Sequence, residues 1–427
     1  MIDYSKVEPT DCENLECLTK VNNLFALFDT PANVIFIDQF NSNLKEFKDI
    51  FKQYFMPENI FFSCKCNKSH ALLEYSARQN CGVEVSSNYE LIDALKHTKK
   101  IIATGPAKDD TYLENSINNK VIISVDDIEE LKNILKFNKE TKVLLRLSNL
   151  LNIVSRFGIN INQIDECLKL IENSNVKFLG FSFHINNYSL DDRVNAIKQI
   201  ISIIKKKNLK IKYIDIGGGL PSNYCSKQDY ENFIKNNIEN MYFKKHFIDD
   251  YYPYYSDIAN ADALNYILKN TCEELKQNNI ELVVEPGRSL LSNVGVSIYE
   301  VQYLKKLYNG DNLIVTNGNI NCLSEQWFNS DYLIEPKLYI PDKTRKKERI
   351  YASICGNLCL EQDMLTWRRI KFDYIPKKGD LLVYYNTAGY QMDSNESEFH
   401  KIPLVKKIIV RKDNLRYIIE EDEIYDS

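Results

Sequence analysis

The stretch Phe61-Phe62-Ser63-Cys64-Lys65-Cys66-Asn67 closes an apolar run on a lysine. The run reads as a buried strand. A lysine at its end is costly without a task, because desolvation penalises the ammonium. Two tasks are open to it, an ion pair or covalent chemistry, since a desolvated amine is more often neutral and attacks carbonyls. A snorkelling or ion-paired lysine is the commoner case. Working outward, apolar strand-like runs recur at Ile60–Cys64, Val83–Ser86, Ile101–Thr104, Val121–Val125, Val143–Leu147, Leu179–His184, Tyr213–Ile216 and Leu282–Glu285. Helical patterns lie between most of them, at Ser69–Gln79, Asn88–Leu95, Ile128–Phe137, Leu190–Lys206 and Ala261–Gln277. Eight alternations predict an α/β fold, a closed parallel (β/α)8 barrel rather than an open doubly wound sheet. The run Val34–Asp38 and the helix-like Asn43–Tyr54 are expected to lead into it.

After residue 290 the texture changes. Short alternating runs at Val296–Tyr303, Asn312–Thr316, Ile350–Cys355, Asp380–Tyr385, Lys406–Arg411 and Leu415–Glu420 are separated by Gly, Pro, Asn and Asp. They predict a mostly antiparallel β domain. The expected organisation is an N-terminal segment 1–30 packing on the β domain, a barrel over 31–290 and the β domain over 291–427. The Tyr-, Asn- and Asp-rich stretch Ser222–Asn260 shows no clear period, and long loops are often functional or mobile.

A chain of 427 residues suits two domains, and 44% apolar with 26% charged residues is the balance of a globular protein. A net charge of −5 without a basic stripe argues against nucleic acid. No run reaches the length of a membrane span, and Met1–Lys6 lacks a signal-peptide pattern, so no membrane association is expected. The 11 cysteines are odd in number and scattered, which predicts reduced thiols in a cytoplasm. Cys64 and Cys66 lack metal-site spacing, and no metal is expected.

In a closed parallel barrel, chemistry collects at the C-terminal ends of the strands. Lys65, Glu84, Arg146, His184, Gly217–Gly219 and Glu285 all fall there. Glycines admit a phosphate close to backbone amides, although a tight turn explains them as well. In Glu285-Pro286-Gly287-Arg288, the guanidinium suits a phosphate and the carboxylate suits a protonated ring nitrogen. The ordinary alternative is a capping Glu and a surface Arg. His184 could be a satisfied core histidine or stack on a flat aromatic cofactor. Cys359, in the run Cys355–Asp363, is either a proton donor or a packed thiol. Tyr390 either bonds a phosphate or sits in a core.

Taken in order, these motifs resemble the fold-type III pyridoxal-phosphate decarboxylases, the ornithine and diaminopimelate decarboxylase group. The landmarks are Lys65-Cys66-Asn67, Ser155-Arg156-Phe157-Gly158, His184, Gly217-Gly218-Gly219, Glu285-Pro286-Gly287-Arg288, Cys359 with Asp363, and Tyr390. The resemblance implies an alanine-racemase-like barrel plus β domain, with pyridoxal 5'-phosphate as cofactor. Lys65 would hold it as a Schiff base, with Glu84 nearby where the family usually has Asp. His184 would stack on its ring, above Arg146, and Glu285 would pair with the ring nitrogen. Gly218, Gly219, Gly287, Arg288 and Tyr390 would bind the phosphate. Cys359 would come from the partner of a head-to-tail homodimer, and Cys359 or Lys65 would return a proton to the substrate carbon.

Departures from the family pattern bear on the substrate. Ile185-Asn186-Asn187 follows His184 in place of Ile/Val-Gly-Ser, so that loop's phosphate contact is either lost or supplied by Asn187. Diaminopimelate decarboxylases carry Arg-Pro-x-Leu/Met-Tyr where this chain has Glu335-Pro336-Lys337-Leu338-Tyr339, and Leu360 replaces the Glu that follows their Cys. The tail Gly389–Ser394 also differs from the usual Gly-Ala-Tyr form. The expected substrate is therefore an amino acid or derivative other than free meso-diaminopimelate, either free or, as in secondary metabolism, conjugated or carrier-bound. Glu335, Tyr339, Cys359, Leu360, Glu361 and Asp363 are the candidate substrate contacts. Two rivals stay open: a racemase or epimerase of the same fold, and a non-catalytic homologue that binds a protein partner.

Overall fold

A computed structural model describes residues 6–10, 13–21, 23–323, 325, 330–414 and 416–426. Residues 1–5, 11, 12 and 22 of the expected N-terminal segment, Leu415 at the head of the last expected strand, and Ser427 lie outside the described residues. The chain divides into two compact units. One comprises Asn41–Pro221, Ile258–Leu290 and Tyr425–Ser427, the other Met1–Phe40, Ser222–Asp257 and Leu291–Ile424.

Strand β1 (Ala32–Phe36) belongs to the second unit. The first contains β2 (Phe61–Ser63), β3 (Gly82–Val85), β4 (Ile101–Ala103), β5 (Ile122–Val125), β6 (Thr141–Ser148), the two-residue β7 (Ile159–Asn160), β8 (Val176–Ser182), β9 (Tyr213–Asp215) and β10 (Glu281–Val283). They pair in parallel in the order β2-β3-β4-β5-β6-β8-β9-β10, with β7 beside the end of β6. The ring closes where Ile60 bridges Val284. The Phe61 amide donates to the Val284 carbonyl at 2.9 Å, and the Val284 amide to the Asn59 carbonyl at 3.0 Å. The expected eight-stranded barrel is present.

The helices start where the sequence offers caps. Ser69, Ser87, Asp109, Asp127 and Ser189 each accept an amide of the following first turn, a contact worth about 1 kcal/mol. Phe61, Ile102 and Val283, with Ile122 and Tyr213, pack as one cluster inside this unit. Gly82 is required beside them, because a Cβ there would lie 2.3 Å from the Phe61 ring.

The second unit is a sheet of β11 (Gly295–Lys306), β12 (Asn312–Thr316), β13 (Lys337–Tyr339), β14 (Ile350–Cys355), β15 (Met364–Phe372), β16 (Leu381–Tyr385), β17 (Lys406–Asp413) and β18 (Arg416–Glu421), together with β1. Its order is β15-β14-β12-β11-β1-β17-β18, with β16 pairing β11 and β13. It is mostly antiparallel; β12 with β14 and β1 with β17 are the parallel pairs. Of the run Val34–Asp38, expected to lead into the barrel, Val34–Phe36 thus lies in a central strand of this sheet, and Ile37 and Asp38 open the helix Ile37–Gln53. Every residue of β1 is buried, and flanking it on both sides by β11 and β17 satisfies that apolar run. Leu15, Leu18, Leu24 and Phe28 of the N-terminal segment pack with Val34, Val296, Val383 and Val410 in this unit's core.

The aperiodic stretch after Ser222 owes its order to tyrosine. Tyr224, Tyr252 and Tyr254 meet edge to face at 5.4–5.7 Å, and Tyr332 joins Tyr224 and Tyr254 at 6.3 and 5.8 Å. Such pairs favour edge contacts through the ring quadrupole. The ten described cysteines are free thiols. Among the described residues, no helix is long and apolar enough to cross a membrane.

Candidate active site

Each barrel strand carries a polar residue near or just beyond its C-terminal end: Ser63, Glu84, Thr104, Ser124, Arg146, Ser182, Asp215 and Glu285. Strand register sets some of these side by side, with Ser63 opposite Glu84, Arg146 opposite Ser182 and Ser182 opposite Asp215.

Lys65 rides on the single turn Cys64–Cys66 that follows β2. Its Nζ lies 3.2 Å from Glu84 Oε2, so the ion pair left open as one task of this lysine is formed. The Lys65 side chain is 44% exposed and Glu84 is fully buried. Ser63 and Thr104 hydroxyls also donate to Glu84, and Ser86 Oγ donates to Oε1 at 2.9 Å. Burial opposes ionisation of Glu84, but Lys65 and the three hydroxyls outweigh it and hold the carboxyl down at about 2.

His184 follows β8. Burial, then the charges of Lys65, Arg146 and Arg193, push its imidazole down to about 3, so it is neutral near pH 7. Gly217, at φ +63°, lies against it; a Cβ there would come within 2.8 Å of His184 Nδ1. Gly219, at φ +71°, lies against Arg193. Arg193 is fully buried on the helix Leu190–Lys207 and donates to the carbonyls of Ser189 (3.0 Å), Ile185 (3.1 Å) and Gly218 (3.4 Å). It ties the loop after His184 to the glycine turn. Asn187 uses both ends of its amide within that loop, donating to Asp192 at 2.8 Å and accepting the Ser189 amide at 3.0 Å.

Arg146 pairs with Asp126 at 3.1 Å, and its guanidinium lies 4.5 Å from the centre of the Phe157 ring. Asp215 and Glu285 are buried on the neighbouring strand ends of β9 and β10. Burial lifts Asp215 to about 7. Burial, and then the negative charge of Asp215 and Glu84, lifts Glu285 well above the usual carboxylate range. Glu285 Oε1 is a buried acceptor that no donor reaches among the described residues. In the turn after β10, a Cβ at Gly287 would stand 3.2 Å from Cys66, and Arg288 is 6% exposed.

The remaining expected residues lie in the sheet unit. Tyr390 sits at φ +83°, a conformation few non-glycine residues adopt. Its carbonyl accepts the amides of Asp393 and Ser394. Asp363 is buried, and its oxygens accept the amides of Ile320 (2.8 Å) and Leu358 (2.6 Å). It builds the loop that presents Cys359 and Leu360 to solvent. Glu361 pairs with Lys244, and Tyr339 shares a hydroxyl hydrogen bond with Tyr385. Glu335 is buried in an ion pair with Arg368 at 3.2 Å, which commits the carboxylate inside this unit. The sequence reading missed Arg193, Asp215 and the hydroxyl shell of Glu84. The signal for Asp215 was available: it is a charge inside the apolar run Tyr213–Ile216.

A lysine amine, a neutral histidine, a buried carboxyl lacking a donor and a glycine turn ring one end of a parallel barrel. That set defines an enzyme that holds a flat, phosphorylated aldehyde cofactor. The orphaned Glu285 oxygen is the fit test, because a cationic ring N–H is the donor it lacks. The chain belongs to the pyridoxal-dependent decarboxylases: the family's pyridoxal binding domain matches residues 37–292. The uncharacterized protein y4yA of Sinorhizobium fredii is 31% identical over 423 residues, covering 93% of this chain and 92% of that one. A diaminopimelate decarboxylase of Aquifex aeolicus is 23% identical over 432 residues, covering 95% and 92%. In fold, the chain is similar to the diaminopimelate decarboxylase of M. jannaschii in complex with L-lysine, with a TM-score of 0.75 at 19% identity, covering 99% and 96%. The protein is a pyridoxal-phosphate-dependent amino-acid decarboxylase.

Proposed function

We propose that the barrel rim removes the α-carboxylate of an amino acid or amino-acid derivative other than free meso-diaminopimelate, with Lys65 as the covalent anchor of the cofactor. The observation that carries the reading is Lys65 paired with buried Glu84 in the same rim as the donorless Glu285. When bound, pyridoxal phosphate supplies an aldehyde for amines and a ring that accepts the electron pair left by the departing carboxylate. Glu84 holds the Lys65 amine in place. His184, being neutral, offers a flat face without competing charge. Glu285 faces the ring nitrogen. Gly218, Gly219, Gly287 and Arg288 would receive the phosphate. Asn187 acts by shaping its loop, since its amide is committed there.

Cys359, exposed on its Asp363-anchored loop, protonates Cα from the partner subunit of a head-to-tail homodimer. Leu360 and Tyr339 are the substrate-side contacts in this reading. Position 335 carries no guanidinium for a distal carboxylate, and Glu335 is itself neutralised by Arg368. These two facts support a substrate unlike diaminopimelate. Relatives named as ornithine and arginine decarboxylases, besides those for diaminopimelate, support a family that varies its amino acid.

The test is an absorbance spectrum of the purified chain before and after borohydride, with peptide mapping. A visible band that bleaches and leaves a label on Lys65 is expected, followed by CO2 release in an amino-acid screen. Cofactor-reconstituted protein with no band and no label would sink the reading. Fast turnover of free meso-diaminopimelate would sink its substrate half.

A further inference from the structure

We propose that Asp215 and Glu285 form one proton-sharing pair, in which Asp215 is the positioning residue that receives the proton Glu285 gives up when a cationic ring nitrogen faces it. The proposal deepens the reading above and rests on its placement of Glu285.

The geometry carries it. Asp215 ends β9, and Glu285 stands two residues beyond β10, the adjacent parallel strand. Both are buried, and Gly217 links them: its carbonyl accepts the Glu285 amide at 2.9 Å, and its amide donates to Asp215. Asp215 Oδ1 already accepts the Gly217 amide at 2.9 Å. Asp215 Oδ2 and Glu285 Oε1 are buried oxygens that no donor reaches among the described residues. Ionised carboxylates only accept, so two of them cannot satisfy each other. One proton between them supplies the donor and removes one of two adjacent like charges.

The charged groups facing the pair do not replace that proton. Lys65 and Glu84, from β2 and β3, are matched to each other, and Arg146 on β6 is matched to Asp126. His184 is neutral. In the cofactor-free chain at pH 8 the proton sits on Glu285, with Asp215 accepting. When a ring N–H cation faces Glu285, the Glu285 O–H bond breaks and an O–H bond forms at Asp215 Oδ2. The pair keeps one proton and one negative charge throughout, and solvent need not exchange with the buried site.

Infrared spectra of the full chain at pH 8, cofactor-free and reconstituted, test this. The cofactor-free wild type should show a protonated-carboxyl band that Glu285→Gln abolishes. On reconstitution the band should shift but persist, vanish in Asp215→Asn, and persist in Asp215→Glu. In cofactor-free Asp215→Asn the pH midpoint of the Glu285 band should fall by about one unit or more, as expected when a like charge leaves. A purely structural Asp215 would not move that midpoint. Absence of a protonated carboxyl in the cofactor-free wild type at pH 8 overturns the pair, and needs no variant to observe. A reconstituted band unchanged by Asp215→Asn overturns it too. If Lys65 is labelled but Glu285→Gln leaves the visible cofactor band as in wild type, the placement of Glu285 fails, and the proposal with it.

Discussion

Replacing Glu84 by Gln keeps the shape of the Lys65 anchor and removes its charge. The Glu84 carboxyl is held at about 2 against an ordinary 4.5. At 1.36 kcal/mol per unit this corresponds to about 3 kcal/mol of native-state stabilisation. Solvent around the 44%-exposed Lys65 side chain weakens the pair, which brings the expected loss to about 2 kcal/mol at pH 7. The folded pKa is depressed, so this stabilisation is fully present above 4.5 and is lost as pH falls through 2. The gap between wild type and Glu84→Gln should therefore be constant from pH 7 to 5 and shrink below 4.5. Denaturant unfolding of the cofactor-free chain at a series of pH values measures it. A gap under about 0.5 kcal/mol at pH 7, or one that does not narrow in acid, would refute the account of Glu84 as the charged partner of Lys65.

Four other outcomes are expected. Arg193→Met strips three carbonyls of their donor and should cost about 3–5 kcal/mol, with faster amide exchange over residues 185–189 by mass spectrometry. Gly217→Ala should destabilise by about 1–2 kcal/mol from its left-handed φ alone; contact with His184 should also weaken cofactor binding in a fluorescence titration. His184 is held down at about 3, so it stabilises the fold above its unfolded value of 6.5 and loses that as pH falls toward 3. His184→Phe should flatten this part of the acid limb in thermal melts. Arg368→Met leaves Glu335 buried without its cation and should cost about 3–5 kcal/mol, most of it recovered by adding Glu335→Gln.

The barrel was legible because its strands are short, mostly apolar runs with a polar residue near the C-terminal end, and because serine and aspartate caps mark the helices behind them. The same regularity exposed Lys65, Glu84, Arg146, His184 and Glu285. What stayed hidden was relational. Nothing in Val34-Ile35-Phe36 says whether its neighbours are barrel strands or β11 and β17, since a fully buried run has no alternation to orient it. Arg193 looks like one more cation on an amphipathic helix until its three carbonyl partners are known. Glu335 reads as an open carboxylate until Arg368, more than thirty positions away, is seen against it. The tyrosines after Ser222 carry no period because they contact one another and not a single face.

The place of β1 in the middle of its sheet has a consequence for how the chain is made. Ala32 pairs with Lys406, so one neighbour of this apolar strand is synthesised last. At 5–20 residues per second, a ribosome needs roughly 20–70 s to cover that distance. Through most of that interval both edges of the segment are unmatched, because β11 begins only at Gly295, and the edge that meets β17 stays open longest, a state open to pairing with other nascent chains. The helices of Leu15 and Leu24 emerge just before it and share its core. They can cover its face on the polysome but not its edge. Yield in a fast-translating host should therefore depend on holdase chaperones more than on the stability of the finished protein.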